Sequence, residues 1–467
     1  MPKKYHIETK PILPRRPRVG QFGIVDWRED CARCHNCVKK LCIYDRHRQE
    51  AEYIRKLDNV DTLFFECMGC FFCVQECTKN LLRLSVNPMH ERLGNRYWTP
   101  NIIRTTWLQA ETAKIPVSGA GYRGKFTGPG FDSMWTDMSE IVRPTRDGIH
   151  GREYISTATD IGRKLMFLSI DGEKASTVMP PLAIVQMPMI IDMMPEEYSL
   201  PVLEEIIITA AARTDLIAII DSSKWPLNIK NMEKVLPYLA FYLNPAAPPV
   251  PAEILKNTRL VEIPDSENIK VQIKNIKDIC PDIVISIRVK LDSNGIKRAI
   301  ELGTQDNIEA IHIVADLNGD QIGTKNPIFL KDMIRDIHTK LIDSGKRDQL
   351  TLIASGGIAL PEHMAKAIIC GADLVAIELP LLIALECHLC SKCERGSFCP
   401  VKLEDVDSDY AAGRMVNLIS AWHDQLIELM GAMGIRDARR LRGDVGRCMF
   451  FEQLEEESFG RIFGTRL

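Results

Sequence analysis

The chain has almost no net charge. Over 467 residues, 59 Lys and Arg stand against 62 Asp and Glu, a balance that argues against a basic nucleic-acid-binding scaffold or a polybasic membrane-surface protein. Long apolar runs are missing too. The most apolar stretch, 182–194, is interrupted by Gln186, Pro188 and Asp192, well short of the roughly 18 uninterrupted residues of a spanning helix. No apolar h-region follows the basic residues Lys3, Lys4, Lys10, Arg15 and Arg16, so the chain is expected to be cytoplasmic. No G-x-G-x-x-G run follows a predicted strand, and direct binding of a nicotinamide dinucleotide is not expected. At 45% hydrophobic and 26% charged residues, the composition is that of an ordinary globular protein, and the length sets a prior of about three domain equivalents.

Cysteine, by contrast, is plentiful, with 15 in the chain. In a reducing compartment thiols serve as metal ligands more often than as disulfide partners. Three groups of four carry the signal: Cys31, Cys34, Cys37 and Cys42; Cys67, Cys70, Cys73 and Cys77; Cys387, Cys390, Cys393 and Cys399. The first two repeat a C-x2-C-x2-C core, the internal duplication of two-cluster bacterial ferredoxins. Three thiolates at this spacing hold three irons of a cubane, and the fourth ligand crosses from the other run. Cys31, Cys34, Cys37 and Cys77 are thus assigned to one 4Fe–4S cluster, and Cys67, Cys70, Cys73 and Cys42 to the other. Ile43 and Thr78 stand where proline usually follows the fourth cysteine. The third group, C-x2-C-x2-C-x5-C before Pro400, suits a further iron–sulfur cluster of 4Fe–4S or 3Fe–4S type. Zinc is the competing reading of all three groups, but zinc sites are usually built from separated C-x2-C pairs. Cys280, Cys370 and Cys448 stand singly and read as packing residues.

Between the second and third groups, short apolar strands alternate with amphipathic helices. Strands are expected at 189–192, 216–221, 260–263, 283–289, 310–316, 350–355 and 374–378, and helices at 202–212, 228–241, 329–341 and 362–370. Repeated strand–helix units over about 200 residues predict a parallel sheet closed into a (β/α)8 barrel, with an eighth strand inferred. The run Ser355-Gly356-Gly357 ends one strand, and Gly371-Ala372-Asp373 leads into the next, which ends at Ile377 and Glu378. Glycines in such a place let backbone amides approach a phosphate, although a simple tight turn would use them equally well. Arg288 and Lys290 share one parity, so either could bring a cation to the barrel mouth beside the N1–C2=O edge of a flavin. Beyond Ala411, Met415, Leu418, Ile419, Trp422, Leu426, Ile427 and Met430 recur at helical spacing and read as core packing.

The segment IPVSGAGYRGKFTGPGFDSMWTDMSEIVRPTRDGIHGREYISTATDIGRKL, 115–165, resembles the signature stretch of FMN-dependent glutamate synthases. The likeness is greatest to the compact archaeal-type enzymes with an N-terminal ferredoxin module. Ser355-Gly356-Gly357-Ile358, Gly371-Ala372-Asp373 and Cys399-Pro400 follow in the family's order. The resemblance implies a ferredoxin-like module with two 4Fe–4S clusters (1–97), a signature segment (98–165), an FMN-binding barrel (166–385) and an iron–sulfur loop with a helical extension (386–467). It also implies that an imine of 2-oxoglutarate and ammonia is reduced to glutamate. Ser355, Gly356, Gly357, Gly371, Ala372, Asp373, Ile377 and Glu378 would hold the FMN phosphate, and Arg288 or Lys290 would be the catalytic, flavin-facing cation. Arg143, Arg146, His150 and Arg152 are further candidate anion ligands. Electrons are expected from ferredoxin or a reductase subunit, which leaves a hetero-oligomer open. The first hundred residues leave no room for a glutaminase domain, so ammonia would come from solution or a partner. The family's G-E-G-G, K-P-G-E-G-G and D-G-G-T-G patterns are absent: IIDSSKWPLNIK stands in place of the first, and Leu317, Asn318, Gly319 and Asp320 in place of the last. These departures leave a second reading open, an electron-transfer flavoprotein subunit or a flavoenzyme for another substrate.

Overall fold

The computed structural model describes residues 5–16, 19–26, 32, 34, 70–115, 128–136, 154–175, 177, 180–198, 200–227, 229, 232–393 and 397–464. Cys31, Cys37, Cys42 and Cys67, the candidate ligands Arg143, Arg146, His150 and Arg152, and most of the signature segment lie outside them. The chain divides into two compact units. One comprises Leu13–Arg104 and His388–Ser391, the other Met1–Ile12, Thr105–Cys387 and Lys392–Leu467.

The larger unit is built on a closed barrel of parallel strands in sequential order. They are β1 (Met189–Ile191), β2 (Ala218–Asp221), β3 (Leu239–Tyr242), β4 (Leu260–Pro264), β5 (Val284–Lys290), β6 (Ala310–Val314), β7 (Thr351–Ser355) and β8 (Leu374–Ile377). The connecting helices include α1 (Pro201–Arg213), α2 (Ile269–Ile279), α3 (Gly295–Gly303), α4 (Leu330–Asp343) and α5 (Pro361–Cys370), followed by α6 (Leu379–Ala384) after β8 and α7 (Ser408–Met433) near the C-terminus. The inferred eighth strand is β3. It overlaps the end of the stretch 228–241 predicted as helix, where, among the described residues, only Met232–Val235 is α-helical before a 3-10 turn at Leu236–Tyr238. Pro237 is the physical reason: it ends the helix, and the β-favouring Phe241 and Tyr242 continue as a strand.

Alternation along the strands divides the barrel interior into layers. Its lower layers are apolar, with Ile190, Ile219, Ala240, Leu260, Val284, Ala310, Ile353, Leu374 and Ala376 packed together. A two-stranded antiparallel sheet of Thr159–Gly162 and Leu182–Val185 adds Ile161, Ala183 and Val185 to this core, and Thr351 Oγ1 holds it by accepting from Gly162 N at 3.0 Å and donating to Gly162 O at 2.8 Å. The barrel's N-terminal end is therefore plugged. Any site must lie toward the C-terminal ends of the strands.

α7 starts on an Asp407 cap, whose side chain accepts from Tyr410 N at 2.8 Å, and stops at Gly434 with φ 69°. Met415, Leu418, Ile419, Trp422, Leu426 and Met430 are buried along it, as expected of a packing stripe, whereas Ile427 is only half-buried. Arg414 on the same helix is fully buried. It donates to the carbonyls of Ala384, Ile12 and Trp107 at 2.6, 3.2 and 3.4 Å. Among the described residues no helix is long and apolar enough to cross a membrane.

In the smaller unit, Phe22–Asp26 pairs antiparallel with Leu82–Val86, Phe22 opposite Val86 and Asp26 opposite Leu82. A short helix, Phe72–Gln75, carries Cys73.

Candidate active site

Charged residues in the middle of apolar strands mark the site. Glu262 in LVEIP of β4 and His312 in AIHIV of β6 are fully buried, and Asp192, one residue past β1, is nearly so. All three share the inward parity of Arg288 on β5, whose register partner across β6 is His312. The Arg288 guanidinium donates to Asp192 through two parallel bonds, at 2.8 Å to Oδ1 and 2.9 Å to Oδ2. It also donates to Glu262 Oε1 at 2.7 Å. Glu262 Oε2 lies 2.8 Å from His312 Nδ1. A bidentate fork of this kind fixes the guanidinium in position and orientation.

The electrostatics follow from that geometry. Burial opposes ionisation of Asp192, but Arg288 and then His312 outweigh it and hold the carboxyl down at about 2. Glu262 is lowered in the same sense, with burial opposing and His312 and Arg288 prevailing. Arg288 is raised: burial disfavours its charge, and the two carboxylates more than compensate. Tyr242, over which the guanidinium lies at 5.9 Å, is raised chiefly by burial. Asp192, Glu262 and His312 bring one ligand atom each within 4.8 Å of one another, a spacing that would suit a metal ion. Arg288 already supplies the cationic charge there, within 2.8 Å of both carboxylates.

Next to this network stand the ends of β7 and β8. Ser355 is buried on β7 and its hydroxyl has no hydrogen-bond partner among the described residues, and the same holds for Ser286 on β5. A buried hydroxyl without a partner is costly, and a bound ligand is one way to satisfy it. Gly356 and Gly357 follow with φ +100° and +66°. A Cβ on Gly357 would lie 2.7 Å from Asn318 O and from Gly319 Cα, so the glycine pair lets the turn after β6 close down onto the end of β7. That turn is self-contained, since Asp316 Oδ1 accepts from the N–H groups of Asn318 and Asp320 at 2.9 and 2.8 Å. Glu378, immediately past β8, is buried. Burial pushes its carboxyl up to about 8, with the Asp192 charge adding to the shift and Arg288 opposing it.

The predicted residues therefore separate. Ser355, Gly356, Gly357, Glu378 and Arg288 gather at the C-terminal mouth. Ile377 contributes its carbonyl, which accepts from Asp192 N at 2.9 Å. Lys290 lies at the far end of β5 and is exposed, outside the network that holds Arg288. Gly371, Ala372 and Asp373 precede β8 and so lie at the opposite, N-terminal end of the strand from Glu378. There Gly371 ends α5 at φ +126° against the His338 ring, and Asp373 accepts from Arg347 at 2.9 Å, Arg442 at 2.9 Å and Leu352 N at 2.8 Å. Their roles in the fold are to close a helix and to balance two arginines.

Of the cysteines, Cys34, Cys70, Cys73 and Cys77 of the first two groups are described. Cys34 Sγ lies 4.0 Å from Thr78 Oγ1, beside the cysteine assigned to its cluster. Burial disfavours the Cys77 thiolate, but backbone N–H groups of Leu81, Lys79, Leu82 and Asn80 hold the thiol below its ordinary value, and Leu81 N donates to Cys77 Sγ at 3.3 Å. Such N–H donors suit a thiolate metal ligand. The third group follows α6, with Cys387 buried and Cys390, Cys393 and Cys399 partly so. Glu386, Leu389 and Ser391 take positive φ of 72°, 46° and 52° along this loop, a density of unusual backbone more common at functional sites than elsewhere.

Comparison with known proteins matches residues 250–436 to the conserved region of glutamate synthase. This stretch carries Glu262, Arg288, His312, Ser355–Gly357, Glu378 and the third cysteine group. The chain is similar to glutamate synthases. An archaeal-type glutamate synthase [NADPH] of Dehalococcoides mccartyi is 24% identical over 90% of this chain and 93% of its own length. An archaeal glutamate synthase [NADPH] of Archaeoglobus fulgidus is 23% identical over 91% of this chain and 93% of its own. A flavocytochrome b2 structure with sulfite bound aligns with a TM-score of 0.40 at 13% identity, covering 78% of this glutamate synthase-like chain and 92% of that one.

Sequence reasoning missed Asp192, Glu262 and His312 as site residues. The signal was present: an ionisable residue at an inward position of an otherwise apolar strand must have a partner.

Proposed function

We propose that this chain is an FMN- and iron–sulfur-dependent oxidoreductase of the glutamate synthase type, which reduces the imine of a 2-oxo acid and ammonia. 2-Oxoglutarate is the first candidate substrate. The observation that carries the reading is the Arg288 network at the C-terminal mouth of a parallel barrel, of which Glu262, Arg288 and His312 lie within the stretch that resembles glutamate synthases. The residues present fit a flavin mononucleotide: Ser355 offers a buried hydroxyl in need of a partner, beside the Gly356-Gly357 turn, and Arg288 offers the cation. When bound, FMN would take electrons one at a time from the clusters and deliver a hydride to the imine carbon. Asp192 and Glu262 hold the guanidinium in place, so that its charge is organised before substrate arrives. The three cysteine groups would hold two 4Fe–4S clusters and a third iron–sulfur cluster, with electrons arriving from ferredoxin or a reductase subunit.

One observation favours a different substrate or a purely electron-transferring role. Arg288 is already hydrogen-bonded to two carboxylates of its own chain, which compete with the carboxylate of an oxo acid. Both readings share their cofactors. Anaerobically isolated protein is expected to contain about one FMN and about twelve irons per chain, by flavin extraction and iron analysis. Stoichiometric zinc with neither flavin nor iron would refute both.

A further inference from the structure

The N-terminal end of the barrel carries apolar surface that the fold leaves uncovered. Beyond the antiparallel sheet that plugs this end, Arg163 donates to the carbonyls of Gln305 and Ile308 at 3.3 and 3.0 Å, and Lys164 N donates to Gln349 O at 2.7 Å. These partners stand just before β6 and β7, which fixes the chain at that end of the barrel. Leu165, Met166, Phe167 and Leu168 follow as four exposed apolar residues in succession, and Ile170 opens a two-stranded hairpin with Ala175 opposite it. Phe167, Leu168 and Ile170 are 79, 63 and 71% exposed. Met166 ties the run to the barrel, its Sδ accepting from Gln349 Nε2 at 2.9 Å. Leu182 and Ile184 add to the face from the outer side of the plug sheet, since Ala183 and Val185 take the barrel side.

Consecutive exposed apolar residues cost a globular protein stability against aggregation unless they bind something. Together these residues expose roughly 700 Å² of apolar surface, more than the roughly 300–600 Å² of the largest patch on a typical monomer and close to the roughly 800 Å² that each partner gives to a standard interface. The charges at its ends select the occupant. Lys164 precedes the run, and Asp171 and Glu173, both exposed, close it at the hairpin tip. Two such runs set antiparallel across a two-fold axis bring the carboxylates of each copy to the lysine of the other. A foreign chain would meet no rim of one sign here.

We infer that the run 165–170, with Leu182 and Ile184, is an isologous interface between two copies of this chain. The barrels then meet at their N-terminal ends, so that both C-terminal mouths, with their Arg288 networks, face away from the contact. The inference does not depend on which cofactor the barrel holds.

Sedimentation velocity of the full-length protein, isolated anaerobically with the cofactors it carries, tests this. At micromolar concentration the mass is expected to be twice the 52.8 kDa of one chain. Phe167→Asp combined with Leu168→Asp would bury unpaired carboxylates in the contact and should raise the dimer Kd by about a hundredfold or more. Val271→Asp, at an exposed site on α2, should leave it unchanged. Amide exchange across 165–170 should be slow in the dimer and quicken on dilution or in the double variant. A wild-type monomer overturns the proposal: slow exchange at 165–170 in that monomer would give the face to a segment of the same chain, and fast exchange would give it to a different partner. A dimer or larger assembly that the double variant leaves intact overturns it equally, by placing the contact elsewhere. If the double variant does not fold, the concentration dependence of exchange at 165–170 in the wild type decides alone.

Discussion

Arg288→Ala is expected to lower the stability of the barrel by about 3–5 kcal/mol at neutral pH, the range observed when one member of a buried ion pair is removed. The loss comes less from the hydrogen bonds themselves than from what remains. Asp192 and Glu262 would be left buried without their counter-charge, and each must then protonate or draw in water. The pH dependence gives the cause away. In the wild type the Asp192 carboxyl is held at about 2, below its ordinary 3.8. Its contribution is therefore complete above about pH 4 and is lost as the pH falls through 2. Without Arg288 the same carboxyl is raised by burial, so the variant gains stability as acid neutralises it. The difference between the two proteins should shrink on going from pH 7 to pH 4, as read from urea unfolding of the barrel transition. Combining R288M with D192N and E262Q should restore much of the loss, because the charges then leave together. A constant difference across this range would mean that Arg288 acts through packing alone.

Asp373→Ala is expected to cost a similar amount, about 3–5 kcal/mol, for the same reason at the other end of the barrel. Asp373 is the carboxylate partner of Arg347, which is itself buried, and it also accepts from Arg442 and Leu352 N. Removing it leaves Arg347 with carbonyl and imidazole partners only, Gly371 O, Leu350 O and His338 Nδ1. The two variants should differ in function. Because Asp373 lies at the N-terminal end of β8, the folded fraction of D373A should bind FMN as the wild type does. An FMN Kd that rises tenfold or more in well-folded D373A would return Asp373 to the phosphate site.

The barrel was legible in the sequence because its strands are apolar runs of the right length separated by helices of clear period. The strand Leu239–Tyr242 was not, because Met232–Tyr242 places a helical turn, a 3-10 turn and a strand in quick succession, and a window long enough to sense helical period averages over all three. Ser355-Gly356-Gly357 was legible from its strand–turn context. Gly371-Ala372-Asp373 belongs to the same motif but to the opposite barrel end, since the direction of β8 puts the residues before it and the residues after it at opposite ends. The Arg288 network was only half legible. Parity pointed Arg288 inward, but its partners come from β1, β4 and β6, and side chains brought together from four strands have no short-range pattern in the sequence.

One anaerobic turnover tests whether this barrel reduces the imine of a 2-oxo acid through a bound flavin. Protein reduced with dithionite and freed of excess reductant is mixed with 2-oxoglutarate and ammonium, with flavin absorbance and glutamate followed together. Reoxidation of flavin and clusters is expected, with one glutamate formed for every two electrons they lose together. A flavin that stays reduced in the presence of both substrates would contradict glutamate synthesis by this chain.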